Sequence, residues 1–268
     1  MAKEAKDSSA YKKDFTRLHC CVLIPTYNNA TKLAAVIESV LAYSDDVIVI
    51  NDGCTDNTEN IIAQFPTVQK ISHPKNEGKG VALRTGFKYA YDKGYRYAIT
   101  IDSDGQHFAI DLPTFLAELE TNKNTLYIGS RNMDQASVPG KSSFGHKFSN
   151  FWFKVETGID APDTQSGYRL YPLEPLKNMR FITWRYEFEI EVIVRAAWAG
   201  VEISSVPVKV YYPPKEERIT HFRPFKDFTR ISILNTVLVT MAVLYYIPLR
   251  WLKAIKKKSS GKSGLKLS

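Results

Sequence analysis

The stretch Ala98-Ile99-Thr100-Ile101-Asp102-Ser103-Asp104-Gly105-Gln106-His107 joins a short apolar run to a turn that carries two carboxylates. A continuous apolar run predicts a strand that is buried on both faces, as in a parallel sheet. Three further runs of this kind lie at Cys21–Ile24, Val47–Ile50 and Leu126–Ile128. Segments with apolar residues at helical spacing separate them. This alternation predicts an α/β, Rossmann-like fold with a mostly parallel central sheet flanked by helices.

Polar residues follow each of the four apolar runs directly. In open α/β sheets, ligands bind in the crevice at the carboxyl ends of the strands. We therefore expect four polar groups to meet in one crevice: Thr26-Tyr27-Asn28, Asn51-Asp52-Gly53, Asp102-Ser103-Asp104 and Gly129-Ser130-Arg131.

The carboxylates of Asp102 and Asp104 stand one residue apart at the end of a predicted strand. Two carboxylates at this spacing can approach one hard cation, and Mg²⁺ or Mn²⁺ prefers oxygen ligands and often keeps substrate phosphates in its shell. Gln106 is a further expected ligand, whereas the imidazole of His107 is poorly suited to Mg²⁺. The alternative is a solvated acidic turn. The position after a buried strand favours a metal site at Asp102, Asp104 and Gln106.

Two other motifs carry residues suited to a nucleotide. Asp52 can accept hydrogen bonds from a base or a ribose, and Gly53 allows the chain to turn tightly after it. In Asn76-Glu77-Gly78-Lys79-Gly80 the glycines suggest a close backbone approach, and Lys79 is placed to meet a phosphate. The motif lacks the spacing of a P-loop, and a capped helix start with a surface lysine remains the alternative.

The net charge of +8 is concentrated in the last 46 residues. Ten Lys or Arg residues and one acid, Asp227, lie between positions 223 and 268, which gives +9, while the rest of the chain carries −1. A basic tail beside an apolar segment predicts contact with an anionic membrane surface rather than with nucleic acid. The first residues lack the apolar stretch of a secretory signal, and the three cysteines lack zinc or disulfide spacing, so we expect a catalytic domain on the cytoplasmic face of a membrane.

The segment Ile231–Leu249 contains nineteen residues without a charge, just enough to cross a bilayer. Basic residues flank it on both sides, which disfavours a simple span. A helix in the membrane interface or against a partner is therefore favoured, with a span and a buried soluble helix as alternatives. The predicted organisation comprises four parts: a disordered segment at 1–17, a catalytic domain at 18–222, a membrane-associating helical segment at 223–258 and a flexible basic tail at 259–268.

Six motifs follow one another in an order that is similar to that of family 2 inverting glycosyltransferases. They are Ile24-Pro25-Thr26-Tyr27-Asn28, Asn51-Asp52-Gly53 with Thr55-Asp56, Asn76-x-Gly78-Lys79-Gly80, Asp102-Ser103-Asp104-Gly105-Gln106-His107, Gly129-Ser130-Arg131 and Asp163-Thr164-Gln165-Ser166-Gly167-Tyr168-Arg169. The resemblance covers residues 19–212 and is strongest to the branch that includes dolichyl-phosphate mannose synthase and bacterial polyprenyl-phosphate sugar transferases. It implies a GT-A fold and transfer of a sugar from a UDP- or GDP-sugar to a polyprenyl phosphate or a glycolipid hydroxyl, as in cell-envelope synthesis.

The resemblance also implies roles for individual residues. The expected donor-binding residues are Pro25, Thr26, Tyr27, Asn28, Asp52, Lys79, Asp102, Ser103 and Arg131. The expected catalytic residues are Asp104, Asp163 as a general base if the acceptor is a hydroxyl, and Arg169, which together with Arg131 is expected to meet a phosphate. Glu187 and Glu189 are the alternative bases. The chain departs from the family at Asn29, where an acidic residue is common.

Two other functions are compatible with the sequence. A nucleotidyltransferase can share this type of sheet, but such enzymes usually carry a Gly-rich loop after the first strand, where this chain has Pro25-Thr26-Tyr27-Asn28-Asn29. A catalytically inactive nucleotide-sugar-binding scaffold at the membrane is the other alternative, and the intact pair of Asp102 and Asp104 argues against it.

Overall fold

A computed structural model of the chain describes residues 8–131, 140–212, 223–249 and 251. Its centre is a seven-stranded sheet in the order β3-β2-β1-β4-β6-β5-β7. The strands are β1 (Cys20–Thr26), β2 (Val47–Asn51), β3 (Gln69–Ser72), β4 (Tyr97–Thr100), β5 (Thr125–Arg131), β6 (Arg169–Pro172) and β7 (Glu202–Val208). Strands β1 to β4 are parallel neighbours, as are β5 and β7, while β6 runs antiparallel to β4 and β5. The predicted mostly parallel sheet is confirmed.

Helices cover both faces of the sheet. They are α1 (Ser8–Leu18), α2 (Ala30–Leu41), α3 (Thr58–Ala63), α4 (Lys79–Asp92), α5 (Leu112–Thr121), α6 (Gly140–Thr157), α7 (Leu173–Leu176), α8 (Phe188–Trp198) and α9 (Pro224–Met241). Successive residues of one strand enter opposite cores: Val22 packs on the side of α1, α2 and α5, and Leu23 packs on the side of α4, α8 and α9. This arrangement explains why the strands read as continuous apolar runs rather than as alternating ones.

The predicted disorder of residues 1–17 is wrong for the part that the structure describes. Residues Ser8–Leu18 form α1, and the Phe15 side chain is fully buried in the core. Lys12 Nζ also lies 2.6 Å from Asp45 Oδ1. A charged, serine-containing segment thus folds because a few apolar residues at helical spacing find a partner surface.

Strand β6 inserts between β4 and β5 and positions the site. Because β6 is antiparallel, its first residue, Arg169, pairs with Thr100 at the end of β4. The turn formed by residues 163–168 therefore lies at the carboxyl edge of the parallel strands, next to Asp102. This topology brings the sixth motif of the sequence to the same edge as the other five.

The C-terminal helix lies against the catalytic domain. Helix α9 continues through a π-helical segment, Ala242–Tyr246, and packs on α6 and α8. The segment Phe225–Leu249 has a mean hydropathy of 1.7 and is long and apolar enough to cross a membrane. The predicted C-terminal apolar helix is present, while its boundary at 258 and the predicted tail at 259–268 lie outside the residues that the structure describes.

Candidate functional site

Three charged side chains from three elements meet at the carboxyl edge of the sheet. Lys79, at the start of α4, places its Nζ 2.8 Å from Asp102 Oδ1 and 3.1 Å from Glu189 Oε2. Burial alone lowers the pKa of Lys79, but the charges of Asp102 and Glu189 outweigh it and hold that pKa above its ordinary value. Burial likewise raises the pKa of Asp102, and the charge of Lys79 lowers it below its ordinary value. These two shifts favour the ionised forms of Lys79 and Asp102.

Asp104 adds a further carboxylate to this edge. Its Oδ1 accepts a hydrogen bond from Gln106 N at 2.9 Å. Burial, followed by the negative charge of Asp102, raises the pKa of Asp104 to about 6. Lys79 offsets only part of the carboxylate charge, so a divalent cation is favoured at the remaining oxygen atoms.

The donor set of this pair fits a hard cation. Asp102 and Asp104 are both half-buried and offer oxygen atoms alone. Within the ranges that the structure describes, no group of three or more His, Cys, Asp or Glu residues is arranged to hold a metal ion. If a metal ion is held at this edge, Asp102 and Asp104 could provide two carboxylates, which would leave coordination positions for a substrate and for water, as Mg²⁺ and Mn²⁺ sites on phosphates commonly do. Gln106 is half-buried beside the pair, and the burial that lowers the pKa of His107 to about 4 keeps that imidazole neutral.

The carboxylate of Asp52 is occupied by the loop that precedes α4. It is 3% exposed, and it accepts four hydrogen bonds from this loop. They come from His73 Nδ1 at 2.8 Å, Glu77 N at 2.9 Å, Asn76 Nδ2 at 3.1 Å and Gly78 N at 2.8 Å. This geometry argues against the predicted contact with a base or a ribose. Asp52 instead fixes the loop from which Lys79 enters the crevice.

The glycines of the same motif serve the chain's own packing. A Cβ atom on Gly80 would lie 2.5 Å from Phe188 Cβ and 2.8 Å from the carbonyl carbon of Trp184. A Cβ atom on Gly78, whose φ is +105°, would lie 2.7 Å from Trp184 O. The close backbone approach that the sequence predicted is therefore made to the segment before α8, which brings Glu189 within reach of Lys79.

Arg131 and Asp163 form a two-pronged ion pair at the end of β5. Arg131 Nε donates to Asp163 Oδ2 at 2.6 Å, and its second nitrogen donates to Oδ1 at 2.9 Å. Asp163 is fully buried, which raises its pKa, but the hydrogen bonds and charge of Arg131 outweigh burial and lower it below the ordinary value. A carboxylate held ionised with both oxygens occupied is poorly suited to the predicted role of a general base.

Arg169 is buried completely, and its expected contact with a phosphate is contradicted by its surroundings. Its donors are directed to four oxygen atoms of the chain. These are Ser166 O at 2.6 Å, Glu189 O at 2.6 Å, Thr164 O at 2.8 Å and Tyr171 Oη at 3.3 Å. The guanidinium therefore holds the turn before β6 against the start of α8 and shapes the crevice from behind.

The end of β1 forms the opposite wall. Pro25 and Thr26 are buried and Tyr27 is half-buried, while Asn28 has a φ of +48°. The Asn28 Oδ1 accepts a hydrogen bond from Thr55 N at 2.8 Å, which ties this wall to the turn after β2. Of this predicted donor-binding set, the side chains of Tyr27 and Asn28 are therefore partly exposed.

Asn29, which stands where an acidic residue is common in the family that the sequence resembles, has a defined hydrogen-bond partner. Its Nδ2 donates to Ser103 Oγ at 3.2 Å and thereby links the ends of β1 and β4. Its Oδ1 is buried without a hydrogen-bond partner. Ser103, a predicted donor-binding residue, is 5% exposed, so its hydroxyl acts within this link rather than at the open surface.

Gly167 is a site residue whose role sequence reasoning missed. A Cβ atom there would lie 2.8 Å from Asp102 Oδ2 and 3.0 Å from Lys79 Nζ. The missing side chain thus makes room for the ionic cluster. The Ser166-Gly167 dipeptide before a buried strand was a signal for close approach, but the strand itself could not be recognised from its four residues, which begin with Arg and end with Pro.

A family model for glycosyl transferase family 2 matches residues 21–180. The chain belongs to glycosyl transferase family 2. The predicted family is thereby confirmed, and the protein is a glycosyltransferase.

Relatives and solved structures agree with this assignment. A UDP-N-acetylglucosamine–dolichyl-phosphate N-acetylglucosaminyltransferase of Methanococcus voltae is 27% identical over 213 residues, which cover 71% of this chain and 85% of that protein. An undecaprenyl-phosphate mannosyltransferase of Micrococcus luteus is 26% identical over 198 residues, covering 69% of this chain and 81% of that protein. The crystal structure of glucosyl-3-phosphoglycerate synthase from Mycobacterium tuberculosis with Mn²⁺, UDP and phosphoglyceric acid has a TM-score of 0.65 at 19% identity, covering 90% of this chain and 84% of that chain, and confirms the predicted fold.

In this glycosyltransferase the predicted residues therefore divide into two groups. Asp102, Asp104, Lys79 and Tyr27 have side chains that are at least partly exposed. A second group lies behind the crevice and binds other parts of the chain: Asp52, Ser103, Asp163 and Arg169. Arg131 lies between the two groups, because its side chain is 14% exposed beside Asp163.

Proposed function

We propose that this glycosyltransferase moves a sugar from a UDP- or GDP-sugar to a polyprenyl phosphate in a single displacement that inverts the anomeric carbon. The observation that carries the proposal is the cluster of Lys79, Asp102 and Asp104 at the carboxyl edge of a family 2 fold. The names of the relatives from Methanococcus voltae and Micrococcus luteus support a lipid-linked phosphate as the acceptor.

Asp102 and Asp104, with Gln106 beside them, are the residues that would hold Mg²⁺ or Mn²⁺. A divalent cation there supplies positive charge that offsets the charge on the departing nucleoside diphosphate. Solved relatives of the same fold that contain UDP with Mn²⁺ or with Mg²⁺ support this assignment. Lys79 presents a fixed ammonium on the same side of the crevice, held there by Glu189. Tyr27 and the neighbouring residues at the end of β1 offer the wall for the base.

A phosphate acceptor agrees with the state of the carboxylates around the crevice. An ionised phosphate oxygen attacks the anomeric carbon, the bond from that carbon to the diphosphate oxygen breaks, and the diphosphate leaves with the bonding electrons, so no proton has to be removed. Two of the expected bases are already engaged, Asp163 by Arg131 and Glu189 by Lys79. Neither is free to deprotonate a hydroxyl.

A glycolipid hydroxyl is the second candidate acceptor, and one carboxylate favours it. Glu187 is 4% exposed, and within the described part of the chain its Oε2 has no hydrogen-bond partner. If a hydroxyl were the acceptor, Glu187 would be the base to test, since Asp163 and Glu189 are ion-paired.

The decisive experiment compares two acceptors that differ only in the phosphate. The purified full-length chain in detergent is given UDP- and GDP-sugars with Mg²⁺ or Mn²⁺, and either undecaprenyl phosphate or undecaprenol. We expect metal-dependent release of one nucleoside diphosphate and formation of a lipid-linked sugar with undecaprenyl phosphate alone. If the protein transfers the sugar to a hydroxyl acceptor and Glu187→Gln abolishes that transfer, the proposed phosphate acceptor is wrong, but the protein remains a glycosyltransferase. Donor binding without any product would favour the inactive scaffold, and release of diphosphate from a nucleoside triphosphate would favour the nucleotidyltransferase.

A further inference from the structure

The C-terminal helix presents a long apolar surface to solvent. We call this surface the α9 strip and define it by the large apolar side chains that are exposed between positions 225 and 251. They are Phe225, Phe228, Ile233, Val237, Val243, Leu244, Tyr245, Ile247, Leu249 and Trp251. Phe151 and Val155 of the adjoining helix α6 are also exposed and extend it sideways. So many exposed large apolar side chains on one helix mark a contact with another apolar phase.

The opposite side of the same helix is buried between Asp227 and Ala242. The residues at 3% exposure or less recur at helical spacing: Asp227, Leu234, Asn235, Leu238 and Ala242. From Asp227 to Ala242 the helix rises by roughly 22 Å, at about 1.5 Å per residue. Aromatic contacts secure both ends, Phe228 on Phe148 of α6 at 5.5 Å and Tyr246 on Trp198 of α8 at 5.4 Å between ring centroids.

A helix docked in this way is not placed to cross a bilayer. A spanning helix needs roughly 30 Å of its length surrounded by lipid or by other spanning segments. Here one face is covered by the catalytic domain, whose buried core takes up Leu234 and Leu238. The buried Asp227 carboxylate accepts a hydrogen bond from Arg223 N at 2.7 Å. Crossing would require this core to open and this carboxylate to lose its buried, hydrogen-bonded position.

The charges around the strip select its partner. Arg223, Lys226 and Arg230 are exposed at its beginning, no charged residue occurs from Ile231 to Leu249, and seven Lys or Arg residues follow from position 250 onward. An apolar strip with basic ends complements the hydrocarbon and the anionic headgroups of a membrane surface. Two copies of the chain paired strip to strip would instead bring like charges together.

We infer that the α9 strip lies in the plane of an anionic membrane, with its exposed side immersed and its other side still docked on the catalytic domain, so that the chain does not cross. The immersed depth for such helices is about 5–10 Å. Both ends of the strip then remain on the same, cytoplasmic side. This inference does not depend on the identity of donor or acceptor.

The first test measures membrane binding by flotation with vesicles of phosphatidylcholine, with or without phosphatidylglycerol. We expect wild type to float with the anionic vesicles. Ile233→Asp together with Leu244→Asp should weaken binding about tenfold or more, since each change puts a charge in place of an exposed apolar side chain that would lie in the membrane. The control pair Asn60→Asp and Gln64→Asp adds the same charge at exposed positions of the opposite helix layer and should bind like wild type. Equal loss in the control pair, or equal binding to neutral vesicles, would overturn the inference.

The second test asks on which side the C-terminus lies. In a Cys54→Ser background, Ser263→Cys and Asn60→Cys are labelled with a membrane-impermeant maleimide in sealed inside-out vesicles; Cys20 and Cys21 are buried. We expect both positions to react before permeabilisation. Reaction of Ser263→Cys only after permeabilisation would show that the helix crosses, and a lipid-independent dimer that Ile233→Asp dissociates would show that a second copy covers the strip.

Discussion

Glu156 offers a test of the packing between α6 and its neighbours. Its side chain is 0% exposed, and neither carboxylate oxygen has a hydrogen-bond partner among the residues that the structure describes. Its backbone carbonyl accepts the indole N–H of Trp198 at 2.9 Å, so the residue lies at the junction of α6 and α8. Burial raises the pKa of Glu156 from 4.5 to about 8. The substitution Glu156→Gln keeps the size of the side chain and removes its charge.

The sign of the effect follows from the direction of this shift. Because the pKa is higher in the folded state, the folded protein binds the proton more tightly than the unfolded chain. The stability is therefore fully present below about pH 4.5 and is lost as the pH rises to about 8. At about 1.36 kcal/mol per unit, wild type loses roughly 3–4 kcal/mol between about pH 5 and pH 8.5 from this one group.

The measurement is guanidinium unfolding of wild type and Glu156→Gln at both pH values. The free energy of unfolding of the variant is compared with that of wild type at each pH. Subtracting one of these differences from the other removes any effect of glutamine that does not depend on pH. We expect the variant to be more stable than wild type at the higher pH, with the gain shrinking by roughly 3–4 kcal/mol on going to the lower one. A double difference below about 1 kcal/mol would refute the reasoning, because Glu156 would then be solvated or paired.

Three further substitutions test the fold and the site. Asp163→Asn should destabilise the fold by about 3–5 kcal/mol in thermal unfolding, because it leaves Arg131 without its partner. The double variant Asp163→Leu, Arg131→Met should recover part of this stability. Full activity in the single variant would contradict the prediction. Gly80→Ala should lower stability and turnover because a Cβ there meets backbone, whereas Gly86→Ala meets a movable side chain at 3.0 Å and should be mild; equal effects contradict the close packing. Phe15→Ala should cost about 3–5 kcal/mol by denaturant unfolding, and no cost would mean that α1 is not part of the core.

The central strands and the residues after them could be predicted because burial on both faces leaves a direct trace in the sequence. The runs at Cys21–Ile24 and Ala98–Ile101 supply most of β1 and β4. Asp102 and Asp104 accordingly lie at the edge where the pattern placed them. Strand β6 left no such trace, because its four residues are buried by their neighbours rather than by an apolar sequence of their own.

The direction in which a polar side chain points could not be predicted. Asp52 and Arg169 have the residue types expected of ligand contacts, yet each satisfies its hydrogen bonds within the chain. A buried charge is stable only when it is paired or hydrogen-bonded, and a local sequence does not reveal which distant backbone atoms will provide the partners. The pairing of Lys79 with Glu189, 110 positions apart in the chain, is of the same kind.

Asp102 and Asp104 are proposed to form a metal-dependent transfer site. The most direct measurement is Mn²⁺ binding by electron paramagnetic resonance, together with sugar transfer. It compares wild type, Asp104→Asn and the control Asp160→Asn, whose side chain is 80% exposed and pairs with Lys154. We predict that Asp104→Asn unfolds at the same temperature as wild type but binds Mn²⁺ more weakly in the presence of nucleoside diphosphate. Its transfer activity should fall by about a hundredfold or more, while Asp160→Asn matches wild type. Unchanged Mn²⁺ binding and transfer in Asp104→Asn would contradict the claim.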